Sequence, residues 1–338
     1  MLLVNNYTLA VTFFILTMIC WGSWANTQKM AAKTWRFELF YWDMVTGLLL
    51  LATLAAFTLG SFGNEGRTFI QDLQQANWLS IGSAMLGGIV WNLGNLLLVA
   101  AIAVAGLSVG FPIGGGIAWI LGIVVNYLLV LLRTGKSGDN DMLLFAGVLV
   151  IAVAIVLSML SYKKLARENK KPTAKGILLS VAAGLLIAFF YGLVVNALDP
   201  QFVEGGGGKL TPYSGAFFFA LGAFLSTFIF NPVFMAKPVQ GEPVKIAEYF
   251  KGSPKTHLIG ILGGTIWMIG MVVSFMSVGA AGPAISYALS NAAPVVAILW
   301  GVFAWKEFQS APKGTNHLLA IMFVLYLIGL VLITTAKA

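Results

Sequence analysis

The sequence predicts an all-α integral membrane protein whose ten transmembrane helices form two inverted five-helix repeats. Three observations carry this. Of 338 residues, 59% are hydrophobic and only 9% charged; the mean hydropathy is +0.90; and uncharged runs of bilayer-spanning length recur along the whole chain. A hydrocarbon core of about 30 Å needs about 20 apolar residues per helix. Two soluble domains would need far more than the 20 basic and 12 acidic residues present to coat their surfaces. Composition therefore excludes a soluble enzyme, a nucleic-acid binder and a disordered tail. The formal net charge of +8 reflects cytoplasmic loops, which collect Lys and Arg. The single cysteine, Cys20, lies in an apolar run and permits no intrachain disulfide.

Charges, Pro/Gly punctuation and polar clusters bound the spans at 7–27, 40–59, 78–104, 107–132, 142–161, 176–197, 213–236, 257–279, 283–305 and 317–335. The first is read as a retained helix, since it has neither a basic leading region nor a small-residue cleavage site. Segment 197–212, with Asp199-Pro200 and the run Gly205 to Gly208, reads as a flexible connector without chemistry. Segment 162–175 is a basic linker carrying Lys163, Lys164, Arg167, Lys170, Lys171 and Lys175. It separates a first repeat, 1–161, from a second, 176–338. The connectors on one side of the membrane hold 15 of the 20 basic residues. By the positive-inside rule the linker is cytoplasmic and both termini face outward, as expected of a multi-pass protein of a bacterial inner or plasma membrane.

The repeat shows as self-similarity. Residues 86–106 align without a gap on 262–282, at an offset of 176. Leu86-Gly87-Gly88 matches Leu262-Gly263-Gly264, and Trp91, Gly94 and Gly106 match Trp267, Gly270 and Gly282. A weaker match at offset 170 pairs Trp21-Gly22 with Tyr191-Gly192 and Asn26 with Asn196. An odd number of helices per copy makes the second copy enter from the opposite side, the architecture of alternating-access transporters with a midplane site. Gly114-Gly115-Gly116 after Pro112 is expected to loosen the fourth span. Its counterpart carries Ser290-Asn291 and Pro294, and broken helices at equivalent places point to a binding site.

Polar side chains within spans are the candidate functional groups, because lipid does not tolerate them unpartnered. Candidates for substrate binding are Trp21, Ser23 and Asn26 in the first span; Trp91, Asn92 and Asn95 in the third; Trp119 in the fourth; Tyr191 and Asn196 in the sixth; Trp267 in the eighth; and Tyr287, Ser290 and Asn291 in the ninth. Amides donate and accept, and indoles stack on flat rings, so the set suits a small neutral polar solute. Each residue taken singly can equally bridge helices or sit in an interfacial belt. Asp43, within the second span, is a candidate for coupling a proton or sodium ion, with Glu38 nearby at the cytoplasmic interface; the competing reading pairs Asp43 with Lys29, Lys33 or Arg36. Glu307, beside Lys306 at the end of the ninth span, reads as interfacial. His257 and His317 each begin a span singly. No metal-ligand spacing, phosphate-binding glycine loop or nucleophile with a base is present, so neither catalysis nor a cofactor is expected beyond a coupling H+ or Na+. The expected partners are a sugar-like or ureide-like solute and the lipid bilayer, with no nucleic acid and no obligatory protein.

The stretch Cys20-Trp21-Gly22-Ser23-Trp24, followed by Lys29, Trp35-Arg36-Phe37-Glu38 and Tyr41-Trp42, resembles the start of the L-rhamnose/proton symporters, a sugar-porter branch of the drug/metabolite transporter superfamily that neighbours the glucose/ribose porters. Gly87-Gly88, Trp91, Gly94-Asn95 and Gly106-Leu107-Ser108-Val109 are similar both to those symporters and to the ureide permeases. The resemblance implies ten helices in two inverted halves and ion-coupled uptake of a monosaccharide. A ureide or nucleobase-like solute is the alternative, and export of a drug or metabolite by the same fold is the third. A plant-type ureide permease is expected to carry a nucleotide-binding-like motif in its central loop. The short linker here has none, which favours the sugar-porter side.

Overall fold

A computed structural model describes residues 1–31, 35–63, 65–105, 107–136, 140–165, 174–199, 206–239 and 241–337. Among them lie ten helical segments long and apolar enough to cross a membrane. In chain order the helices are α1 (Tyr7–Ser23), α2 (Ala25–Ala31), α3 (Phe37–Phe57), α4 (Phe69–Gln75), α5 (Trp78–Ala105), α6 (Leu107–Thr134), α7 (Asp141–Leu165), α8 (Ala174–Ala197) and α9 (Pro212–Ala236). A 3-10 turn at Ile246–Lys251 precedes α10 (Pro254–Ala281), α11 (Pro283–Ser290), α12 (Pro294–Leu299) and α13 (Thr315–Thr334). Local chemistry sets several starts. The Asn6 side chain accepts from the Leu9 amide at 3.1 Å. Thr68 and Gln71 form a reciprocal capping box on α4. Thr211 caps α9 with Pro212 at its first position, where no amide hydrogen is needed.

Two spans are interrupted to different degrees. In the first, helical bonding lapses only at Trp24, between α1 and α2, where the backbone stays helical and the amide still donates to the Cys20 carbonyl. The ninth breaks after Ser290 and resumes at Pro294, where the sequence placed its break, and then runs into a π-helical turn at Trp300–Ala304. The expected loosening of the fourth span does not occur. Helix α6 runs unbroken through Gly114, Gly115 and Gly116, and Gly114 serves packing. A Cβ on Gly114 would press on the Ser180 carbonyl, and one on Gly184 on the Gly114 carbonyl. Gly106 and linker residues 166–173 lie outside the described residues.

Contacts divide the chain into two compact units, Met1–Leu93 with Phe189–Ala281 and Gly94–Ala188 with Gly282–Ala338. Each unit draws on both halves of the sequence. In the first, glycines bring backbones together at two crossings. A Cβ on Gly264 would strike the Met44 carbonyl, and one on Gly47 the Ile261 carbonyl, where α3 crosses α10. Where α5 crosses α9, Gly88 abuts the Phe219 carbonyl and Gly222 the Met85 carbonyl. Apolar burial does not drive association in hydrocarbon, so such close approaches supply the packing. In the second unit, α7 and α13 meet at Gly147 and Gly329, each facing the other's carbonyl.

The connector 197–212 is not the featureless loop the sequence suggested. Buried Arg67 donates from Nε to Asp72, from Nη1 to Asp199 at 2.9 Å and from Nη2 to the Lys209 carbonyl at 2.7 Å. Gln75 donates to Asp72 and to the same Lys209 carbonyl, while the Thr211 amide donates to the second Asp72 oxygen. A side chain on Gly206 would displace the guanidinium. Segment 200–205 lies outside the described residues.

Replacing Gly264 by Ala should destabilise the protein by about 1–3 kcal/mol, because the new methyl meets a backbone carbonyl. Gly82→Ala, in open space on α5, should leave thermal unfolding in detergent unchanged or slightly later. Arg67→Ala removes the guanidinium that pairs with two buried carboxylates and should cost about 3–5 kcal/mol; adding Asp199→Asn to that variant should recover part of the loss in the same measurement.

Candidate functional site

Four aromatic rings from four helices converge in the first unit: Trp21 from α1, Trp91 from α5, Phe219 from α9 and Trp267 from α10, all buried. Trp267 is the hub. It stacks on Trp21 with centroids 5.2 Å apart and on Phe219 at 5.6 Å, and it meets Trp91 at 4.3 Å. Trp91 and Trp267 each follow their crossing glycine by three residues, one helical turn, so the backbone approach carries the two rings together. Phe190 and Tyr191 of α8 and Phe275 of α10 extend the cluster.

The polar atoms around the rings mostly have internal partners. The Trp21 indole donates to the Trp267 carbonyl at 3.0 Å, Thr17 donates to the Gly270 carbonyl at 2.9 Å, and Tyr191 and Ser274 share a hydrogen bond of 2.9 Å. Asn92, one residue after Trp91, donates to Ser226 at 2.9 Å and Thr227 at 3.0 Å, while its buried side-chain carbonyl oxygen accepts nothing. Half-buried Asn26 donates to the Ser23 carbonyl, a bond within the first span. Asn196 is half-buried near the end of α8, and its carbonyl accepts from Lys209.

The remaining predicted residues fall in the second unit. There the Trp119 indole donates to the Ala288 carbonyl at 3.0 Å and the Tyr287 hydroxyl donates to the Ala118 carbonyl at 2.7 Å, a reciprocal clasp of α6 and α11. A Cβ on Gly122 would collide with the Tyr287 ring. Asn291 donates to the Tyr287 carbonyl, and Asn95 and Ser290 are buried. The described contacts thus gather Trp21, Trp91, Asn92, Tyr191 and Trp267 in one unit, and Asn95, Trp119, Tyr287, Ser290 and Asn291 in the other.

A second polar centre surrounds Asp43. The carboxylate is buried, and it accepts from the Tyr249 hydroxyl at 2.5 Å and lies 2.9 and 3.1 Å from His257 Nδ1. Trp35 stands edge-on to the imidazole at 5.3 Å. Neither Arg36 nor any other expected cation pairs with Asp43 among the described residues, Lys33 lying outside them. Arg36 instead forks onto Glu38 at 2.6 and 3.2 Å. Glu38, the second residue of α3, is buried, and its backbone carbonyl accepts from Asn231. His257 is therefore not the isolated span-starting residue the sequence suggested. Burial, then the hydrogen bond and charge of Asp43, push the Tyr249 phenol above its usual range, so it remains a donor at neutral pH. Among the described residues no three His, Cys, Asp or Glu side chains could hold a metal ion.

Ten apolar spans around a buried aromatic and amide interior define a multi-pass membrane protein, and sequence comparison says which kind. The profile of the ureide permease family matches residues 40–175 and 160–336. The chain belongs to the ureide permease family, whose members are transporters and not enzymes. It is similar to ureide permease 1 of Arabidopsis thaliana, 25% identical over 97% of each chain, and to ureide permease 2 of the same plant, 26% identical over 97% of this chain and 96% of the relative. It is also similar to the probable ureide permease A3 of Vigna unguiculata, 24% identical over 90% of this chain and 97% of the relative. A solved crystal structure superposes on 96% of the chain, and on 95% of its own, with a TM-score of 0.61 at 15% identity, a likeness of fold alone. The short central linker therefore does not set this chain apart from the family. The lean toward sugar porters that rested on it is corrected.

Proposed function

We propose that the chain is a secondary active transporter of ureide-like solutes, which bind at the four-ring cluster of the first unit. The observation that carries this reading is the stack on Trp267, together with the unpartnered side-chain oxygen of Asn92 on the helix that supplies Trp91. A ureide is a neutral molecule rich in N–H donors and C=O acceptors, many of them on flat rings, so indole faces and an amide acceptor match it. The rings now cover one another, and the solute takes the place of one ring against Trp267 when the cluster opens. The curated relatives, all named as ureide permeases, favour a ureide over a monosaccharide or an exported drug. Their plant origin lends nothing to a bacterial source.

The repeats 1–161 and 176–338 act in this proposal as inverted copies that expose the site alternately to each side, with both termini outside. The matched glycine crossings support it, since Gly264 follows Gly88 by 176 residues and Gly222 follows Gly47 by 175. The coupling ion is a proton. Asp43 is met by a phenol and an imidazole, which are hydrogen-bond partners for a carboxylate and poor company for sodium, whose ligands are oxygen atoms with no proton directed at it. Glu38, held by Arg36, serves structure.

Allantoin, a simple ureide, should raise the thermal unfolding temperature of the purified protein by mass action, while rhamnose, glucose and lipophilic cations do not. Stabilisation by a monosaccharide alone would restore the sugar reading. Asn92→Ala and Trp267→Ala should each weaken allantoin binding about tenfold, the effect of about 1–1.5 kcal/mol from one lost buried contact, and normal binding by both would remove the cluster from the site. In proteoliposomes, Asp43→Asn should abolish accumulation driven by a proton gradient yet allow exchange of labelled for unlabelled solute; undiminished accumulation removes Asp43 from coupling.

A further inference from the structure

A pocket of about 600 Å³ opens in the first unit between α3, α9 and the 3-10 turn at Ile246–Lys251. Trp42, Thr46, Phe228, Met235, Tyr249 and Phe250 form most of its wall. It stands apart from the Trp267 cluster and shares no residue with it. Phe228 and Phe250 are 57% and 79% exposed, and the pocket lies where two membrane spans, Phe37–Phe57 and Pro212–Ala236, meet the connector from α9 to α10.

Every polar side-chain atom of the wall already has a partner inside the protein. The Trp42 indole donates to the Met235 sulfur at 3.4 Å, Thr46 donates to the Trp42 carbonyl at 2.8 Å, and Tyr249 donates to Asp43. A polar solute would find nothing to bind there, whereas hydrocarbon would lose nothing on entering. Next to wall residues in the chain, Lys237 follows Ala236 at the end of α9, and Lys245 stands between Val244 and Ile246 just before the 3-10 turn. The Val244 amide, bonded to the Met235 carbonyl at 2.9 Å, draws these two stretches together. Both lysines are exposed, and among the described residues neither makes an ion pair, while Lys251 is taken up by Glu248 and Arg36 by Glu38. Glu242, between them in sequence, is the one carboxylate in that stretch. The arrangement is an apolar slot with two exposed cations one residue from its wall in sequence.

We propose that this pocket binds an anionic phospholipid, one acyl chain filling the slot and the phosphate resting between Lys237 and Lys245. The bound chain packs on the Tyr249 ring, whose hydroxyl holds Asp43, so the lipid buttresses the Asp43–His257 cluster from the membrane side. This site does not depend on which solute is carried.

The test is photolabelling of the full-length protein in vesicles, with phosphatidylglycerol bearing a diazirine near the end of one acyl chain and peptide mapping by mass spectrometry. Label is expected on residues 224–250 at several times the level on the exposed face of α13 around Leu327 and Val331, which serves as the internal reference for insertion. Ala236→Trp, which fills the slot, should cut the pocket label at least fivefold and leave the α13 label unchanged. Lys237→Gln with Lys245→Gln should abolish the preference for phosphatidylglycerol over a phosphatidylcholine carrying the same chain. Pocket labelling no stronger than at α13, or unaffected by Ala236→Trp, overturns the site, and equal labelling of the wild type by both lipids overturns the anionic headgroup. Neither readout involves transport, so failure here and failure of the ureide reading are distinguishable.

Discussion

Contact between helix backbones, closer than any side chain allows, is the constraint on which the rest of this structure depends. Lipid tails are as apolar as leucine, so nothing gained by leaving water holds these helices together. Glycine removes the spacer. Gly47 and Gly264 seat α3 on α10, and Gly88 and Gly222 seat α5 on α9. The aromatic cluster follows from those seats, since Trp91 and Trp267 stand one turn beyond Gly88 and Gly264. Packing and site are one arrangement: moving a backbone at the crossing moves a ring at the centre.

The interior is mostly apolar, and among the described residues it leaves few of its buried polar groups unmet. Trp21, Trp119 and Tyr287 all turn their donors to backbone carbonyls of neighbouring helices, so an indole or phenol within a span is as much a clasp as a binding group. The buried side-chain carbonyls of Asn92, Asn126 and Asn231 are the exceptions among the amides. Asn126 and Asn231 stand outside the ring cluster, anchored by their amide nitrogens to the Gly122 and Glu38 carbonyls. An unsatisfied acceptor in low dielectric costs more than a typical hydrogen bond returns, which makes Asn92 informative where polarity alone is not.

Much of the fold was legible in the sequence because bilayer thickness imposes a length that a hydropathy pattern displays directly. The ten spans and the break between Ser290 and Pro294 came from such local signals. Gly114 to Gly116 misled because a glycine run reads alike whether it loosens a helix or lets a neighbour approach, and only the position of Ser180 and Gly184 decides. Asp43 was visible as an anomalous charge, but its partners lie more than 200 residues away and could not be paired with it by spacing. His257 read as a lone residue at the start of a span for the same reason. Arg67, Asp72 and Asp199 carried no signal, since charged residues in connectors are ordinary until something buries them. Membership of the ureide permease family turned on similarity spread over the whole chain, which no short motif displays.

The contact between Trp91 and Trp267 has a bearing on how such a chain can change. The two tryptophans are counterparts in the ungapped match of residues 86–106 with 262–282, and they touch. Copies of a duplicated segment ordinarily drift apart, each answering to its own surroundings. Where counterparts pack on one another, each is the other's surroundings, and a substitution in one copy alters selection on its twin. If the two halves are the inverted copies proposed above, divergence between them should be slowest at the rings and crossing glycines and fastest on lipid-facing surfaces, a gradient of memory running outward from the place where matched residues meet.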